Sequence, residues 1–304
     1  MRGLQIGTLV CLTVAIAAGC ILVLGSANAG GGQYALVAGF PEVPDSCTLY
    51  RVVPITVTGE EVREIAGRFG LSGELSERSG EFCLVDTKKD PEAWLSVYAH
   101  SGGVVYRIPD RELPAEVTRQ PDLPTDAEAE EIVLAFLEKT GMHSPDARVV
   151  EIGVNQRHEV WSSGDGEPEA SYDVTIAARF GRSLDGLPVY GDEFAVILGD
   201  GGEVVGLVKT WREVEPAGDI ALRLPEEAYA DLLASRIVRP SASAAYDRVT
   251  IENVSLGYWM EPRGVVQDTV RPVYAFSGTA VRDGAPEPYV AYVAAARDGL
   301  EGGA

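Results

Sequence analysis

Histidine, lysine and methionine are scarce in this chain of 304 residues: there are three histidines, four lysines and three methionines. His100, His143 and His158 lie far apart in sequence. His158-Glu159-Val160-Trp161-Ser162 begins like a zinc-protease motif but has Ser162 where the second histidine is required, so it cannot grip zinc from one helix face. No Gly-x-Ser-x-Gly elbow, phosphate-cradling Gly-x-x-x-x-Gly-Lys or Cys-x-x-Cys occurs, and no stretch has the alternating Asp spacing of a calcium loop. These absences exclude the common hydrolase, nucleotide and redox signatures. The residues predict no catalytic group, no metal and no cofactor.

Basic charge is also in short supply. Against 46 acids stand 25 Lys and Arg, for a net charge of −21, which repels nucleic acid and anionic lipid. Acid pairs such as Asp165/Glu167 and Asp192/Glu193 match a glycosidase in residue type. With so many acids, such pairs arise by chance and serve as solvated turns. Only four cysteines are present. Cys11 and Cys20 fall in an apolar run, leaving Cys47 and Cys83 as either one bridge or two separate buried thiols.

Long apolar stretches are confined to the start. Leu4 to Leu24 has no charge, and its helical length of roughly 31 Å matches a hydrocarbon core. Residues 1–29 are therefore expected to be a signal-anchor holding the rest outside the cytoplasm, or a signal peptide cleaved at Ala27-Asn28-Ala29 and releasing a secreted protein. Glycine-rich residues 30–46 read as a tether.

Beyond it a plan recurs, a capped helix and then short strands. In residues 47–110, Thr58-Gly59-Glu60-Glu61 is a capping box ahead of the stripe Val62, Ile65, Ala66 and Phe69. Residues 111–124 form a proline-rich linker. In residues 125–214, Thr125-Asp126-Ala127-Glu128 caps the stripe Ala129, Ile132, Val133, Phe136 and Leu137, ended near Gly141. Residues 215–297 open a third helix at Pro225 and place a bulge between Ile251 and Val254. Residues 298–304 are a tail.

Within the second unit, Ser171 to Phe180 alternates with the period of a half-buried strand. Asp185-Gly186 supplies a tight turn, and Phe194–Leu198 and Glu203–Trp211 continue the meander. The run Phe180 to Leu207, with Gly186-Leu187-Pro188-Val189-Tyr190-Gly191 and Asp200-Gly201-Gly202-Glu203-Val204-Val205, resembles the fungalysin/thermolysin propeptide motif and the related PepSY domains. Those propeptides commonly carry Gln before the hairpin, where this chain has Gly181-Arg182-Ser183. Leu256-Gly257-Tyr258 and Arg271-Pro272-Val273-Tyr274 are similar, more distantly, to membrane-anchored Yyc-type regulators of two-component sensor kinases.

The resemblance implies an α+β protein of three PepSY-like modules, each a helix on a small antiparallel sheet, behind an N-terminal transmembrane or signal helix. It also implies a regulatory, non-enzymatic role in which an extracytoplasmic peptidase or sensor domain is the protein partner. Pro188, Tyr190, Trp211, Trp259 and Tyr274, on or beside the strands, are the candidate partner-binding residues, and an exposed sheet edge is the alternative contact. A hydrolase using paired carboxylates and a structural envelope component are the competing readings.

Overall fold

A computed structural model describes residues 26–29, 32–161, 168–238 and 246–297. In chain order come β1 (Ser26–Ala29), β2 (Gly32–Leu36), β3 (Ser46–Val52), α1 (Gly59–Arg68), β4 (Glu74–Arg78), β5 (Glu81–Asp86), β6 (Ala93–Tyr98) and β7 (Val104–Arg107). They are followed by α2 (Pro109–Glu112), α3 (Asp126–Thr140), β8 (Arg148–Val160), β9 (Ala170–Gly181), the small hairpin β10 (Ser183–Leu184) and β11 (Leu187–Tyr190), β12 (Glu193–Leu198) and β13 (Val204–Thr210). Last are β14 (Val214–Ala221), α4 (Pro225–Leu233), β15 (Arg248–Trp259), β16 (Thr269–Arg282) and β17 (Ala285–Ala294).

Local chemistry sets the ends of these elements. Thr58 and Thr125 each accept from the amide three residues on, while Glu61 and Glu128 reach back to the cap amides, so both capping boxes form. Gly141 closes α3 in the left-handed region at φ 68°. Asp185 and Gly186 both take positive φ, 50° and 79°, the geometry a two-residue hairpin turn between β10 and β11 requires.

The strands assemble into two large sheets. The first is antiparallel throughout, in the order β4-β5-β6-β7-β13-β12-β9-β8. Its two halves are each a helix followed by four strands, and they meet through their final strands, Val105 opposite Val208 and Tyr106 opposite Leu207. Val62 and Ala66 of α1 and Val133 and Leu137 of α3 cover one face, over Leu95, Val97, Val196, Leu198 and Leu207. In the second sheet the order is β1-β2-β15-β16-β3-β14, with β17 on β16 and β11 parallel to the end of β15. Ala228 and Leu232 of α4 lie over Val254, Leu256, Phe276 and Val293.

This architecture corrects the expected fold. Among the described residues the structure is mostly β, with 48% strand and 16% helix, in two large sheets instead of three small helix-on-sheet modules. Strand pairing is the physical reason: β7 and β13 complete each other's hydrogen bonding, so the first two units share one sheet across the proline-rich linker. β3, placed by sequence at the head of the first unit, pairs instead with β14 and β16.

The expected membrane anchor is corrected as well. The helices run 10, 4, 15 and 9 residues, against the roughly 20 needed to cross a bilayer, and no helix among the described residues is long and apolar enough to do so. At the end of the expected 1–29 segment, Ser26–Ala29 is a strand paired with β2. Residues 1–25 lie outside the described residues.

Candidate docking face

Alternation along the second sheet separates a covered face from an open one. On β17, Tyr289, Ala291 and Val293 point toward α4, so Pro286, Pro288, Val290 and Tyr292 point away from it. On β16, Tyr274, Phe276 and Ala280 are inward, leaving Arg271, Val273, Ala275, Ser277 and Thr279 on the other face, where Arg271 is exposed and Val273 and Ala275 are themselves buried. Along the second half of β15, Val254, Leu256 and Tyr258 are inward, and Ser255, Gly257 and Trp259 are outward. Leu187 and Val189 of β11 face the core, and Pro188 and Tyr190 face out.

The row on β17 carries no charge, in a chain that is 23% charged, while the β15–β16 part of the face carries Arg271, opposite Trp259, and Glu252, which accepts from Thr279 at 3.2 Å. The outer face of the first sheet carries Arg107 and the pair Arg179 and Glu151, 3.4 Å apart. Pro286, Pro288 and Val290 are exposed, Val290 to 52%. The exposed strip Pro286, Pro288 and Val290 is uncharged, and exposed apolar patches are a common feature of interaction surfaces.

Three rings build one end of the face. Tyr292 lies between Tyr190 and Trp259, with centroid separations of 5.1 and 4.8 Å. The Tyr190 hydroxyl and Ser255 Oγ are 2.9 Å apart, and Trp259 Nε1 donates to Glu261 at 2.9 Å. Burial pushes the Tyr292 phenol up from its ordinary value. The Tyr292 ring is therefore uncharged at neutral pH, and the three rings are placed for apolar and aromatic contact.

The edge of β17 is closed to an added strand. The Tyr292 carbonyl accepts from the Val238 amide, so residues in phase with it turn their backbone groups outward. Two of those residues, Pro286 and Pro288, have no N–H to offer. Elsewhere β14 is bulged between Pro216 and Gly218, and β8 shifts register at three places along its pairing with β9. Strand addition is therefore disfavoured at β17, β14 and β8, whereas β4, the other edge of the first sheet, pairs with β5 without a register shift.

Of the residues singled out by sequence, Pro188, Tyr190 and Trp259 come together here. Tyr274 does not: it is wholly buried on the α4 side, its hydroxyl donating to the Arg223 carbonyl at 2.7 Å. Trp211 lies just past the end of β13, its ring 4.6 Å from the Arg182 guanidinium and its indole N–H donating to Asp146. Cys47 and Cys83 are both free, one in each sheet. Cys47 sits against the core, where burial pushes its thiol up, and Cys83 Sγ is 3.4 Å from Ser96 Oγ.

Sequence reasoning missed Tyr292, Val290, Pro286 and Pro288. Their signal was present as every second residue of Pro286-Glu287-Pro288-Tyr289-Val290-Ala291-Tyr292, uncharged on one phase.

The paired acids are already engaged. Asp192 is held by Arg182, while Glu193 accepts from Arg263 at 2.6 Å and from Thr210 at 3.1 Å. Asp165 and Glu167 lie outside the described residues. His158 stands on a strand opposite Tyr172. Among the described residues, no group of three or more His, Cys, Asp or Glu is placed to hold a metal ion.

No family model and no curated protein matches the chain. Among solved structures, an uncharacterized protein from Eubacterium rectale ATCC 33656, determined at 1.45 Å, is similar over 87% of both chains, at 8% identity and a TM-score of 0.45.

Proposed function

We propose that this chain is a non-enzymatic binding protein that contacts and regulates another protein through the outer face of its second sheet. The observation carrying this reading is the uncharged outward row Pro286, Pro288, Val290 and Tyr292, continued by Trp259, Tyr190 and Pro188. Packed aromatic anchors beside exposed apolar residues are the composition in which binding energy concentrates. The propeptide resemblance of Phe180 to Leu207 makes a peptidase or a sensor domain the first partner to test.

The test compares partner capture by the wild type, by Val290→Asp and by Trp94→Asp. Trp94 is 48% exposed on the outer face of the first sheet and serves as the control. A single partner held by the wild type and by Trp94→Asp, and lost with Val290→Asp at unchanged circular dichroism, supports the reading. Equal capture by all three overturns it.

A further inference from the structure

The hairpin carrying Pro188 and Tyr190 is an insertion that leaves the first sheet after β9, lines the second sheet as β11, and returns as β12. Its neck is closed by one ion pair. Arg182, the residue before the hairpin, donates Nε to Asp192 Oδ2 at 2.8 Å and Nη2 to Oδ1 at 3.3 Å. Asp192 is two residues past the hairpin's last residue, and the two side chains are 2% and 3% exposed.

Other groups converge on this pair. Arg182 Nη1 donates to the Arg212 carbonyl at 2.8 Å and reaches Asp146 at 3.4 Å. Arg212 in turn donates to the carbonyls of Glu261, Pro262 and Val265, in the loop between β15 and β16. The clasp is thus tied to both sheets.

The seat beyond the neck has little tolerance. A Cβ on Gly257 would come 2.4 Å from Tyr190 Cε2 and 2.6 Å from the Pro188 carbonyl, and one on Gly191 would come 2.1 Å from the Met260 carbonyl. The seat that brings Tyr190 against the ring of Tyr292 is therefore tightly packed at both Gly257 and Gly191. Buried ion pairs commonly contribute little stability compared with apolar residues of similar volume, and in some proteins they serve instead to fix one arrangement over others.

We propose that the Arg182–Asp192 clasp is the control point of the docking face, holding the 183–190 hairpin where Pro188 and Tyr190 are presented. This rests on the binding reading above, and makes Arg182 and Asp192 positioning residues for it. Leu184, Leu187 and Val189 hold the body of the hairpin against the core. The clasp sets its register.

Hydrogen exchange of the full chain tests the clasp without any partner. The reporting amides are Val189, which donates to the Arg182 carbonyl, and Met260, which donates to the Tyr190 carbonyl. Ala178, paired on both sides in the first sheet, is the reference. Arg182→Met is expected to speed exchange at both reporters by about tenfold or more while Ala178 is unchanged, as local opening below the global limit requires.

If that variant fails to fold, the double variant Arg182→Met/Asp192→Leu replaces the pair with apolar side chains and is expected to show the same local acceleration. Wild-type rates at Val189 and Met260, or acceleration no greater than at Ala178, overturn the proposal. A photo-crosslinking residue at Val290, remote from the hairpin on β17, reads partner contact separately. Faster exchange with no crosslink in the wild type sinks the binding reading and leaves the clasp standing.

Discussion

The ring of Tyr190 lies directly over Gly257, so close that a methyl group on Gly257 would stand 2.4 Å from Cε2. One backbone position of β15 therefore has to lack a side chain for the hairpin inserted between β9 and β12 to seat.

Gly257→Ala is accordingly expected to unseat Tyr190 and to cost roughly 1–3 kcal/mol, the usual range for overpacking a filled site. Urea unfolding measures the cost. Gly264→Ala, where no atom lies within 4 Å, is the matched control and should leave the urea midpoint within experimental scatter.

Asp192 imposes a pH dependence. Burial outruns the pull of Arg182 and pushes its carboxyl up from 3.8 to about 6. The folded chain then holds the proton more tightly than the unfolded one, so this group's stabilisation is full below about pH 4 and is lost as pH rises through about 6. Asp192→Asn cannot titrate, and its stability curve should lack this fall; an identical pH profile in both proteins would refute the assignment.

Tyr274 and Tyr292 stand on opposite faces and should separate stability from binding. Tyr274→Phe removes the bond to the Arg223 carbonyl and is expected to lose about 1 kcal/mol, by thermal melting, with partner capture unchanged. Tyr292→Ser removes the central ring of the cluster and is expected to abolish capture.

With Cys47 and Cys83 free and in different sheets, reductant should not move the melting temperature. A lower melting point in reductant would show a bridge between them.

Much of the local structure was legible, because it depends on neighbours in sequence. Thr58 and Thr125 announce their helices through the glutamates three residues on, Asp185-Gly186 announces its turn, and the break between Ile251 and Val254 appears as a register shift after Ile251. The pairing of Val105 with Val208 could not be read this way, since nothing in either strand names a partner about a hundred residues away. That single joint turns two expected modules into one sheet. The docking face was half legible: Tyr190 and Trp259 were visible as aromatics on strands, but Tyr274 and Trp211 looked the same. Only the phase of β16 relative to α4, and the position of Asp146 beside the Trp211 indole, tell them apart.

The joint between β7 and β13 also bears on how the chain is made. The N-terminal half-sheet is synthesised first, and until residues 204–210 arrive its β7 is paired on one side only, with β6. Closing so long a loop is slow. A nascent or truncated chain ending near residue 120 should therefore be sticky toward its own copies and toward chaperones, and the halves made separately should recover a native sheet only when mixed.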